Sequence, residues 1–268
     1  MAEELIHRKL ERSAIGFVLA IIAAASVGGI VEIAPLFTID ETVEDVADLR
    51  LYTPLELMGR DIYVREGCYA CHSQMIRTLA DEVDRYGPYS LAVESRYDRP
   101  MLWGSKRTGP DLARVGGKYS DQWHVEHLNN PRDMVPESNM PAYPWLARTE
   151  LDISTITGRL QAQSRLGVPY TEDMIAQAVA DVQAQVNPDS ANVGALVERY
   201  GDETQVSAFD GVTTRLTEAD ALIAYLQVLG QMTDAPYENT AAPEMAAGPE
   251  DQGPNAGATT EANDAVEP

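Results

Sequence analysis

The chain has 268 residues and a formal net charge of −22, long enough for one globular core with appendages but short for two. An acidic surface of this kind repels phosphate backbones and excludes nucleic acid as a partner. Lysine is confined to Lys9, Lys106 and Lys118, and the acidic excess runs along most of the chain, which either a saline habitat or a basic partner would favour.

The first predicted element is an apolar helix. Ser13 to Val31 carries no charged residue and is dominated by Ile, Val, Leu and Ala. At ~1.5 Å per residue it spans about 28 Å, close to the hydrocarbon thickness of a bilayer. Arg8, Lys9 and Arg12 precede it and Asp40, Glu41, Glu44 and Asp45 follow. The positive-inside rule therefore predicts a cytoplasmic N-terminus over 1–12, a membrane anchor over 13–37, and a linker over 38–52 on the outer side. A cleaved signal peptide is the alternative, since a basic start and the small residues from Ala23 to Ser26 also suit one. Either reading exports the rest of the chain. Gly28 and Gly29 permit close approach of a neighbouring helix, and Glu32 near the outer end is either paired there or snorkels to the interface.

Thr53-Pro54-Leu55-Glu56 has the form of a helix start: a capping residue, proline at the first helical position and glutamate three residues beyond the cap. Leu55, Met58, Ile62 and Tyr63 recur at helical spacing and lead into Cys68-Tyr69-Ala70-Cys71-His72. Two thiols separated by two residues, with histidine next, is the spacing of covalent haem attachment. Both thiols reach the vinyl groups of one porphyrin, and the imidazole becomes the first axial ligand of its iron. A zinc site would need a second Cys/His pair, and Cys68 and Cys71 are the only cysteines. A redox dithiol would need a βαβ setting, which the flanking sequence does not provide.

Further along, Gly109-Pro110-Asp111-Leu112 and Val115-Gly116-Gly117 mark turns, followed by a short helix from Ser120 to Asn129. The stretch 151–212 reads as a helical insertion, most clearly from Thr171 to Val186, where Met174, Ile175, Ala178, Val179, Val182 and Val186 form an apolar face. A closing helix starts at Thr217, with Asp220 completing the cap, carries Leu222, Tyr225, Leu226 and Leu229, and ends at Gly230. The haem domain is thus expected over 53–231. From 232 to 268 the chain is rich in Pro, Ala, Gly and acid, as in a disordered tail.

A second axial ligand is expected beyond Cys71. Met140 stands in the proline-bracketed run Ser138-Asn139-Met140-Pro141-Ala142-Tyr143-Pro144, and a ligand belongs on such a fixed element. Thioether paired with imidazole suits an electron-transfer iron. Met134 competes, while Met75 lies close to the attachment motif and Met101 precedes the Gly-Pro turn. His124 and His127 share a helical face, so a metal pair or bis-histidine ligation is conceivable, although packing near the haem edge explains them without further ligands. Arg107 is a candidate partner for a haem propionate through a charge-assisted hydrogen bond.

Several motifs carry a closer resemblance. Cys68 to Arg77, Arg85-Tyr86-Gly87, Leu102-Trp103-Gly104 through Asp111-Leu112, Asn130-Pro131-Arg132 and Pro136 through Leu146 occur in one order, and that order resembles the mono-haem cytochrome c subunit (subunit II) of cbb3-type cytochrome c oxidases. The likeness runs from the anchor to Leu166 and resumes at Gly167 to Thr171 and in the closing helix. It implies a mainly α chain: a single transmembrane helix, then a class I cytochrome c-like haem domain. Its helices before the haem motif and at the domain's end would cross near Gly59 and Tyr225. It further implies one covalently bound haem c on Cys68 and Cys71, with iron between His72 and Met140. The partners it implies are the catalytic haem-copper subunit, a di-haem cytochrome c subunit and soluble cytochrome c, at a bacterial inner membrane with the haem domain in the periplasm. Val182 to Val212 is longer than this pattern. A mono-haem subunit of nitric oxide reductase and a haem-based sensor are the rival readings.

Overall fold

The structure is a computed structural model that describes residues 8, 11–36, 49–104 and 106–233. Helix α1, Ala14–Leu36, begins after Ser13, whose hydroxyl accepts from Gly16 N at 3.2 Å. Ala14–Pro35 is long and apolar enough to cross a membrane, and its large side chains, Ile15, Val18, Leu19 and Ile30 among them, are exposed. Lipid is a solvent that suits such a surface.

Helix α2, Pro54–Arg65, carries the expected capping box: Thr53 accepts from Glu56 N, and Glu56 accepts from Thr53 N at 2.9 Å. The short helices α3, Ala80–Tyr86, α4, Asp121–Asn129, and α5, Pro131–Met134, follow. Then come α6, Ile156–Arg165, α7, Glu172–Gln185, α8, Val193–Tyr200, and α9, Glu218–Val228, capped by Thr217 and Asp220. Among the described residues there is no strand, only an antiparallel bridge between Glu150 and Thr217.

Helices α2 and α9 form the centre of the fold and cross where expected. A Cβ on Gly59 would overlap the Ala221 carbonyl and lie 2.7 Å from Tyr225 Cβ, so glycine is what lets the two backbones meet. Tyr225 is fully buried, with Tyr63 5.5 Å and Tyr52 5.9 Å from it, centroid to centroid. Arg65 and Glu218 close the far end through paired bonds of 2.7 and 2.6 Å.

The segment 151–212 leaves and rejoins the domain at one place. Leu151 N donates to Leu216 O, and Glu218 N to Thr149 O, each at 3.0 Å. Its helices share the central core: Leu160, Val182, Leu196 and Phe209 are buried in the same cluster as Leu55 and Tyr225. The buried face of α7 differs from the apolar periodicity. Val179 is exposed, while Asp181 and Gln185 are fully buried. Polar partners account for the rotation: Arg199 pairs with Asp181, and Gln185 accepts from Thr53 Oγ1 at 2.6 Å.

The fold also reaches past 53–231. Tyr52 and Met232 are buried, and Arg50 N donates to Met232 O at 3.0 Å. Residue 37 of the expected anchor, 38–48 of the expected linker and 234–268 of the expected tail lie outside the described residues.

Candidate haem site

The attachment motif is delivered by the way α2 ends. Glu66 N still donates to Ile62 O, and Gly67 then adopts φ 73°, a left-handed turn that glycine takes without a Cβ penalty. The chain tightens into a 3₁₀ turn, Cys68–Ala70, where Cys71 N and His72 N both return to Cys68 O, at 3.1 and 2.9 Å. One turn of backbone therefore carries both thiols and the imidazole. Cys68 is half-buried and Cys71 exposed, and no disulfide joins them. Burial pushes the Cys68 thiol up to about 12, the opposite of the depressed value that activates a redox dithiol.

His72 is held by the turn that follows Arg107. Its Nδ1 lies 2.8 Å from Pro110 O. A carbonyl only accepts, so Nδ1 carries the proton and the lone pair sits on Nε2, the tautomer an axial ligand needs. Gly109 N donates to Cys71 O at 3.0 Å, and a Cβ on Gly109 would stand 2.8 Å from both ring nitrogens. Asp111 fastens the next residues: it accepts from Ser73 Oγ at 2.5 Å, Met75 N at 3.0 Å and Ala113 N at 2.8 Å.

Arg107, expected at a propionate, is drawn into this scaffold. It donates to Ser73 Oγ at 2.9 Å, Met75 O at 3.0 Å and Glu82 at 2.7 Å, and its guanidinium lies 5.1 Å from the Tyr86 ring centroid. Arg107 and Arg77 hold the Glu82 carboxyl well below the usual glutamate range. Asp111 and Glu82 went unrecognised as functional residues in the sequence. The Gly-Pro-Asp-Leu turn was the available signal for Asp111, whereas Glu82 meets Arg107 across 25 residues with no local pattern to mark it.

The second wall comes from α4, α5 and the Met140 loop. Tyr143 N donates to Leu128 O at 2.7 Å, tying the loop to α4, and Met140 N donates to Ser138 Oγ at 3.2 Å. Met140, Cys68, Leu112 and Tyr143 are all half-buried against the same core. Burial, with the Cys68 and Cys71 thiols nearby, raises the Tyr143 hydroxyl. Met101 is exposed by contrast, and Met75 is fixed in the Asp111 scaffold. His124 and His127 each leave one buried ring nitrogen without a partner, Nε2 and Nδ1 respectively. Among the described residues no group of three or more His, Cys, Asp or Glu could hold a bare metal ion. These residues fit a haem: two thiols on one turn, an imidazole with Nε2 free, a thioether on the adjoining loop and buried nitrogens awaiting a partner.

A helical domain that presents this motif from one of two crossed helices, behind an apolar N-terminal helix, defines a membrane-anchored cytochrome c. The family model described as cytochrome C oxidase, mono-heme subunit/FixO matches residues 7–233. The chain belongs to that family, the mono-haem subunit of cbb3-type oxidases. It is therefore a subunit of an enzyme complex, and the family implies a haem cofactor and partner oxidase subunits. No curated protein matches the chain.

Proposed function

We propose that this chain is the electron relay of its oxidase. Cys68 and Cys71 would hold one haem c through thioether bonds, with His72 and Met140 as ligands of its iron. The haem would supply a one-electron couple. With both side chains on the iron, the chain would do no oxygen chemistry and only pass electrons. The donor is a di-haem cytochrome c subunit or soluble cytochrome c, and the acceptor is the catalytic haem-copper subunit. Helix α1 anchors the domain in a bacterial inner membrane, N-terminus in the cytoplasm and haem domain in the periplasm, in keeping with Arg8 and Arg12 before it and the acidic run from Asp40 to Asp45 after it.

The observation that carries this reading is the 2.8 Å contact from His72 Nδ1 to Pro110 O, which presents Nε2 as a ligand one residue from the second thiol. The test uses the purified complex. Intact mass should show one haem on this chain, and a redox-difference spectrum a low-spin c-type haem. Met140→Ala should let the reduced c haem bind carbon monoxide and should slow oxidase turnover. A polypeptide without tetrapyrrole, or a Met140→Ala complex that matches the wild type in both respects, overturns the proposal.

A further inference from the structure

A column of stacked rings, Tyr119, Trp123 and His127, runs along α4. The Tyr119 and Trp123 ring centroids lie 4.0 Å apart with planes 14° from parallel, and Trp123 and His127 lie 4.5 Å apart at 11°. Lys118 Nζ stands 5.6 Å from the Tyr119 centroid at the column's other end. Stacking on Trp123 orients the His127 ring. Its Nδ1 is buried and unpaired in the protein alone.

Burial, and His72 nearby, lower the proton affinity of the His127 ring. The next residue, Leu128, accepts the hydrogen bond from Tyr143 N that fixes the Met140 loop. His127 therefore sits on α4 next to the residue that ties down the Met140 loop. A buried ring nitrogen without a partner is unfavourable unless binding provides one. A haem held by Cys68, Cys71, His72 and Met140 offers hydrogen-bond acceptors and no donor, the Met140 sulfur and the two carboxylates among them.

We infer that His127 is a haem-contacting residue whose Nδ1–H donates a hydrogen bond to an acceptor of the haem assembly, the Met140 sulfur or a haem carboxylate. The inference rests on the ligand set proposed above. Donation to either acceptor withdraws electron density from the haem and favours the reduced state, so His127 tunes the potential as a positioning residue.

The test is equilibrium redox titration of the c haem in the purified complex. In His127→Phe, which retains a ring to stack on Trp123 but has no N–H, the reduction equilibrium constant should fall about tenfold, ~59 mV for one electron. His127→Gln, which restores an N–H, should recover most of that loss. A shift of the sulfur-to-iron charge-transfer band in oxidised His127→Phe assigns the acceptor to Met140; a lowered potential with the band unmoved assigns it to a carboxylate. Equal potentials in wild type and His127→Phe overturn the inference, as does His127→Gln behaving like His127→Phe. Should His127→Phe not retain haem, nitrogen-15 NMR of the reduced wild type decides: a proton on His127 Nδ1 is expected, and a bare Nδ1 overturns. Absence of the sulfur band from the wild type would instead refute the Met140 assignment itself.

Discussion

Gly109→Ala tests whether the turn after Arg107 governs the haem ligand. The added methyl would overlap Cε1 of the His72 ring and stand 2.8 Å from both of its nitrogens, where ordinary contact begins at 3.4 Å. The ring must retreat by roughly an ångström, an overpacking strain of ~1–3 kcal/mol. Retreat also breaks the 2.8 Å bond from Nδ1 to Pro110 O, worth ~1 kcal/mol. Together these weaken the hold on Nε2 by ~2–4 kcal/mol, about 30- to 1,000-fold in ligand occupancy. Absorption spectra of the oxidised c haem in the assembled complex would read the change as a loss of the low-spin form, and added imidazole should restore it. A Gly109→Ala protein with the wild-type spectrum, potential and thermal midpoint would refute the reasoning.

Two further predictions concern buried charge. Arg60 and Asp98 pair at 2.9 Å with side chains only 3% and 7% exposed, so Asp98→Ala strands a buried guanidinium and should destabilise the domain by ~3–5 kcal/mol in urea unfolding. Glu82 is held below its unfolded value by Arg107 and Arg77. Its contribution is therefore complete above the unfolded glutamate value of ~4.3 and is lost as the pH falls through the folded value. Unfolding measured from roughly pH 7 down to 2.5 should show a flatter acid limb in Glu82→Gln than in the wild type.

What could be read from sequence was local. Thr53 with Glu56 and Thr217 with Asp220 announce α2 and α9, because a capping box is written within four residues. The haem motif is equally compact. Its scaffold is not, since Ser73, Glu82 and the Arg107–Asp111 turn come from three places in the chain and acquire meaning only when the fold joins them. Helix α7 shows the limit of periodicity: counting apolar residues selects Val179, whereas the buried positions include Asp181 and Gln185, whose partners lie on α8 and at the cap of α2. Likewise Tyr52 and Met232 sit in stretches whose composition suggests linker and tail, and long-range packing alone brings them inside.

The start of α2 is gripped by the excursion between 151 and 212. Gln185 receives the Thr53 hydroxyl at 2.6 Å, and the Tyr170 hydroxyl donates to Tyr52 O at 2.9 Å. The same helix leads at its other end into the Cys68–His72 turn, so the excursion acts as a buttress for the element that presents both thiols. A change in the length of this stretch should therefore register at that turn, a helix length away.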